Sequence, residues 1–150
     1  MKNTQLERDA RERMKPGVIT ARGFLGRDER ALGDIIQADE ESFRRLGLEF
    51  GAVADRLEAW KEGGTRGLGE PITVEGRWLV RTGDARGVLP CPWEDGVYHK
   101  NSVDVTDPRN GDLVIYSDLS IHLLRVHHFC QGLGSPFRLD PDTLARMMKP

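Results

Sequence analysis

The sequence has no cysteine and no histidine in its first 90 residues. Its two cysteines and four histidines all fall later, at Cys91, His99, His122, His127, His128 and Cys130. No CxxC pair occurs, although a secure structural zinc site usually shows two short ligand pairs. No apolar run approaches the ~18 residues of a membrane span. The opening stretch, MKNTQLERDARERMKP, is charged throughout and lacks the apolar centre of a signal peptide. The expectation is a cytoplasmic protein without a membrane partner, in which both thiols stay reduced. A Cys91–Cys130 disulfide is the alternative.

A dominant charge is also missing. Twenty-two Lys and Arg against 24 Asp and Glu give a formal net charge of −2. That removes the general electrostatic footprint of a nucleic-acid or anionic-membrane binder. Hydrophobic residues make up 38% and charged residues 31%, which is polar but within the range of a globular chain. At 150 residues the chain suits one domain, or two small lobes sharing a core, and needs no disulfide scaffold to fold. There is no internal repeat and no low-complexity tract.

Punctuation divides the chain into a helical half (1–64), a glycine-rich linker (63–71, GGTRGLGEP) and a β-rich half (72–150) that bears every His and Cys. In the first half, Leu6, Ala10 and Met14 recur every four residues, which predicts a weakly amphipathic helix or frayed arm stopped at Pro16-Gly17. Val18 to Ala21 reads as a short strand or an extended segment. Gly23 and Gly26 bracket Phe24-Leu25, a loop that inserts an anchor into the core. Leu32, Ile35, Ile36, Phe43 and Leu46 share a helical face, with Asp28 as N-cap and Gly47 as stop. Phe50, Val53, Ala54, Leu57 and Trp60 repeat the pattern up to Gly63-Gly64. Two amphipathic helices joined by a tight turn follow from this spacing.

Beyond the linker, Ile72, Val74, Trp78 and Val80 alternate with Thr73, Glu75, Arg77 and Arg81, as on a half-buried strand. Gly83 to Gly87 reads as a turn. Val97 to Thr106 and Asp112 to Tyr116 flank an Asn-Gly pair, which predicts a hairpin. Ser117 or Asp118 caps a predicted helix over 119–130, stopped by Gly132, with a strand continuing from Tyr116 as the alternative. Asp140-Pro141-Asp142 opens a last short helix ending near Met148. The fold class is α+β: an N-terminal helical hairpin packed on a small antiparallel sheet, with a C-terminal His-rich helix.

The His/Cys cluster offers a structural metal or ligand site drawn from Cys91, His99, His122, His127, His128 and Cys130. Zinc is the ion that thiolate and imidazole suit. Cys91 lies in a stiff loop between Pro90 and Pro92. On a helix, His127 and Cys130 sit on neighbouring faces. His122 and His127 project roughly 140° apart on an unbroken helix, so they reach one ion only if the helix ends or bends between them. The plain alternative is core-edge histidines bonded to backbone carbonyls and cysteines acting as small buried hydrophobes.

Other readings compete. Cys91 could be a thiol nucleophile, with His99 or His122 as base and Asp118 as orienter, although no helix N-terminus lowers its pKa. The helix–turn–helix order followed by a strand outlines a winged helix, making a partner-binding or regulatory module. Its second helix carries Glu49, Asp55, Glu58 and Glu62 against Arg56 and Lys61, which disfavours nucleic acid. A protein partner or self-association through the helical half stays open. Gly63 to Gly69 lacks the Lys-Ser/Thr ending of a phosphate loop and precedes a strand. Arg77, Arg81, Arg86 and Arg138 are either an anion-binding rim or a solvated face paired with Glu75, Glu94 and Asp140.

Overall fold

The computed structural model describes residues 4–150. Five helices and a four-stranded antiparallel sheet follow in the order α1 (Gln5–Arg13), α2 (Leu32–Leu46), α3 (Phe50–Gly64), β1 (Ile72–Val74), β2 (Trp78–Pro90), β3 (Val97–Asp107), β4 (Asp112–Tyr116), α4 (Asp118–His127) and α5 (Pro141–Met148). The strands lie side by side in sequence order. This is the expected α+β class, and no helix among the described residues is long and apolar enough to cross a membrane.

Local chemistry explains most boundaries. Thr4 and Glu7 form a reciprocal capping box at the start of α1. Gly47 ends α2 in the left-handed region at φ +71°, where a side chain would be strained. Asp140 caps α5 by accepting the Thr143 N–H, with Pro141 preset for the first turn. Phe24 and Leu25 are buried between their two glycines, as an anchoring loop requires.

Asp28 is not the cap of α2. That helix begins at Leu32 behind Ala31, which makes no side-chain cap. Asp28 is itself buried and binds the Arg30 guanidinium through both oxygens, at 2.8 and 2.6 Å. It also accepts the Leu133 N–H. Val18 to Ala21 forms turns rather than a strand.

The alternating apolar residues after Pro71 are a hairpin rather than one strand. Glu75 and Gly76 both take positive φ, so Val74 pairs with Trp78 and Ile72 with Val80. The predicted turn at 83–87 is also absent. β2 runs through it with a register shift between Asp84 and Val88, a bulge that the glycines permit. β3 and β4 form the hairpin that Asn110-Gly111 implies.

The segment read as a linker lies against the sheet. α3 continues through Gly63 and Gly64, and a single 3-10 turn covers Thr65–Gly67. A Cβ on Gly64 would meet Val80, and Thr82 Cγ2 at 3.0 Å; one on Gly63 would lie 2.7 Å from Val74 Cγ1. The glycines let the helix approach β1 and β2. One core then joins the two halves: Phe43, Val53, Leu57 and Trp60 pack with Val80, Val103, Val105 and Tyr116. Tyr116 donates its hydroxyl to the Leu57 carbonyl at 2.7 Å.

This packing reverses the usual helix preference. Gly64→Ala should destabilise by about 1–3 kcal/mol through overpacking, against the ~1 kcal/mol that Ala normally gains over Gly in a helix. Gly51, with nothing within 4 Å of its Cβ position, is the control. Gly51→Ala should be neutral or stabilising. Urea unfolding of both variants decides, and equal gains would contradict the close approach.

Candidate metal centre

Three elements assemble the site. β2 ends at Pro90, and the loop 91–96 returns the chain to β3. Cys91 donates its N–H to the Gly96 carbonyl and accepts the Glu94 N–H, which holds the loop closed. Arg13 of α1 braces it from outside by donating to the Pro92 carbonyl and facing Glu94 at 3.6 Å. The side chain of Cys91 joins a second core cluster with Ala10, Met14, Leu119 and Leu123. The loop therefore presents a buried thiol from a fixed backbone, and Asp95 four residues later.

Helix α4 supplies the other groups. Ser117 and Ser120 form its capping box, and Leu119, Leu123 and Leu124 bury its inner face. The helix ends at His127, with His128 as a left-handed cap at φ +54°. The helix neither ends nor bends between His122 and His127, contrary to the condition set by their spacing, yet Asp95 reaches both rings. The His122 and His127 rings meet edge to face with centroids 5.3 Å apart.

Cys91 Sγ, an Asp95 oxygen and one ring nitrogen each of His122 and His127 all lie within 4.8 Å of one another. Asp95 occupies the middle. His122 Nε2 is 2.9 Å from one carboxylate oxygen and His127 Nε2 is 2.7 Å from the other. An ionised carboxylate only accepts, so both Nε2 atoms carry the donated proton. Cys91 Sγ is 3.8 Å from His127 Nε2.

Stacking adds to the Asp95 hydrogen bonds in orienting the imidazoles. Trp93 lies flat on His127 at 4.1 Å, and Tyr98 lies on His122 at 4.6 Å. No hydrogen bond reaches either Nδ1 among the described residues.

The electrostatics follow from partial burial. Burial pushes the Cys91 thiol up to about 12, and its hydrogen bond to the Asp95 carboxylate adds to the shift. Burial works against ionised Asp95, yet hydrogen bonds from Cys91, His122 and His127 outweigh it and hold the carboxyl well below its usual range. Burial lowers the pKa of His127, and Asp95 opposes that only in part. The ring is therefore neutral near pH 7, as a metal ligand must be.

The set can hold a metal ion. Zn–N near 2.0 Å and Zn–S near 2.3 Å place the corners of a tetrahedron about 3.3–3.8 Å apart. The Cys91–His127 separation already has that length. An ion would replace the two hydrogen bonds to Asp95 and open those gaps by about half an ångström.

The other three candidate ligands lie elsewhere. His99 is exposed on β3 and faces Asp84 at 3.4 Å. His128, turned away by its left-handed backbone, pairs with Glu40 at 2.7 Å and stacks on Phe50. Cys130 comes after the helix has ended, so helical spacing no longer carries it toward His127. It is buried in the main core, where burial raises its thiol pKa strongly. Both cysteines are free.

Asp95 was not among the expected ligands. Its sequence signal is modest: a carboxylate four residues beyond Cys91, in a proline-stiffened loop. Asp118 does not orient a catalytic histidine, because it is held by Lys61 at 2.8 Å and by Asn101 at 3.1 Å. A Cys–His–Asp contact does form through His127 and Asp95, but a thiol pushed up to about 12 is a poor nucleophile.

Arg86 is exposed on β2, and the other three arginines of the anticipated rim are taken up in ion pairs. Arg77 pairs with Asp107, Arg81 with Asp104 and Arg138 with Asp39. Their anticipated partners are engaged differently: Glu75 with Arg56, Glu94 with Arg13, and Asp140 as a helix cap.

Comparison with known proteins adds no further guide to the site: no family model matches the chain, and searches of curated proteins and of solved structures return no match.

Proposed function

We propose that the protein binds one zinc ion through Cys91, Asp95, His122 and His127, and that the ion fastens the β2–β3 loop to the end of α4. The observation that carries this reading is the convergence of four ligand atoms from two separate elements within 4.8 Å. One thiol, two imidazoles and one carboxylate form a donor set suited to zinc. Four protein ligands close a tetrahedron, which favours a structural role over an open catalytic one. The binding energy then appears as folding energy.

A second reading rests on exposure. The Asp95 side chain is 37% exposed, whereas those of His122 and His127 are 12% and 16% exposed. If water displaces that carboxylate, the ion keeps three ligands and one open position, the arrangement of a hydrolytic zinc site. Zinc-dependent cleavage of an activated ester would support it. Zinc binding without such activity would favour the structural role.

The ligands predict a proton balance. The free thiol is protonated near neutral pH, whereas a zinc-bound thiol is a thiolate. Zinc binding at pH 7.5 should therefore release about one proton per ion, and the apparent affinity should rise about tenfold per pH unit between pH 7 and 8. Calorimetry in two buffers of different ionisation enthalpy measures both. A buffer-independent heat with pH-independent affinity would remove Cys91 from the ligand set.

A further inference from the structure

We infer that a second site, separate from the metal ligands, takes a small amphipathic carboxylate. The site is a cavity of about 450 Å³ between the 19–24 turn, the start of α4 and the segment after α4. Small-molecule sites commonly fall between about 300 and 1,000 Å³, with apolar walls and a few placed polar groups.

Phe24, Leu89, Leu119 and Phe137 form apolar walls. The polar groups are unequal in sign: Arg22 and Lys100 line the cavity, and no carboxylate does. Neither cation has an ion-pair or hydrogen-bond partner among the described residues, in a protein where most arginines are paired.

A third group points the same way. Gln131 is only 5% exposed and lines the cavity. Its Oε1 accepts from Ser135 Oγ at 2.6 Å, while its Nε2 makes no hydrogen bond among the described residues. That nitrogen is not sealed from solvent, so it can donate to an acceptor placed in the cavity that Gln131 lines. Two unpaired cations and one unpaired amide call for an anionic oxygen head. The aromatic and aliphatic walls call for a hydrocarbon body. A carboxylate with a short chain or arene supplies both, whereas a polyanion such as a nucleotide would leave its charges against apolar walls.

The test is a titration of the whole protein with octanoate and, separately, with octanol, followed by amide shifts in NMR spectra. Octanoate should bind with Kd on the order of 0.1 mM, a value within reach of a ligand this small. Shifts should be centred on Gly23, Lys100 and Gln131, and octanol should bind about tenfold more weakly. Arg22→Ala combined with Lys100→Ala, both at exposed positions, should weaken octanoate by about tenfold and leave octanol unchanged. Ala21→Trp, which adds bulk at an exposed lining position, should block both probes without unfolding the protein. Equal binding of octanoate and octanol would overturn the anion assignment. Absence of saturable binding by either, or shifts centred elsewhere, would overturn the site.

Discussion

His122→Ala should abolish zinc retention and lower the melting temperature of zinc-loaded protein by about 10 °C. The magnitude follows from mass action: an ion held at 1,000 times its dissociation constant stabilises the folded state by about 4 kcal/mol. At this chain length, 1 kcal/mol is worth about 2–4 °C. In the presence of a chelator the difference between wild type and variant should shrink to about 1 kcal/mol, the residual packing of the ring on Tyr98. His128→Ala is the control, since it removes a neighbouring ring that is stacked on Phe50 and paired with Glu40 and is not one of the four ligands. That variant should lose some stability and keep its zinc. If His122→Ala retains zinc, or His128→Ala loses it, the ligand assignment is wrong.

Arg138→Leu should be the most damaging substitution away from the metal centre. The guanidinium meets Asp39 through two bonds, at 3.0 and 2.9 Å, and donates a third to the Gln131 carbonyl at 2.7 Å. Its side chain is 12% exposed and that of Asp39 is 6% exposed. The pair ties α2 to the segment between α4 and α5. Removing the cation leaves a buried carboxylate uncompensated, which costs about 3–5 kcal/mol. Replacing both members, Asp39→Leu with Arg138→Leu, should recover most of that loss, because the penalty comes from the orphaned charge. Urea unfolding measures both variants. A loss under about 1 kcal/mol for the single variant would show that water reaches the pair freely.

The legible parts of the fold are those governed by local rules. The apolar spacing of α2 and α3, the left-handed Gly47 stop, the Asn110-Gly111 hairpin and the Asp140-Pro141 start of α5 each need only neighbouring residues. The misread parts depend on distant partners. Gly63 and Gly64 have the composition of a linker, but their small size serves close packing on Val74 and Val80. Glycines at 83 and 87 suggest a turn, yet pairing with β3 holds β2 extended through the bulge. Asp28 has the chemistry of a cap, but Arg30 and Leu133 claim its oxygens.

The site divides in the same way. Cys91, His122 and His127 were identifiable by residue type, but α4 is unbroken between the two histidines, and it is the Asp95 carboxylate that bridges their rings. Asp95 was hidden because carboxylates are common, and only the closed 91–96 loop places this one between two imidazoles. Cys130 and His128 looked suitable only while the helix was taken to run past His127. A one-residue change of backbone hand at His128 separates them from the site.

The most direct measurement is the zinc content of native protein, purified without a His tag or chelator and weighed as the intact folded chain by native mass spectrometry. About one zinc per chain is expected, lost on mild acidification, since Cys91, Asp95, His122 and His127 would provide one tetrahedral set. A mass equal to that of the bare chain, with a melting temperature unchanged by added zinc, would contradict it. The four groups would then be a hydrogen-bonded cluster centred on Asp95.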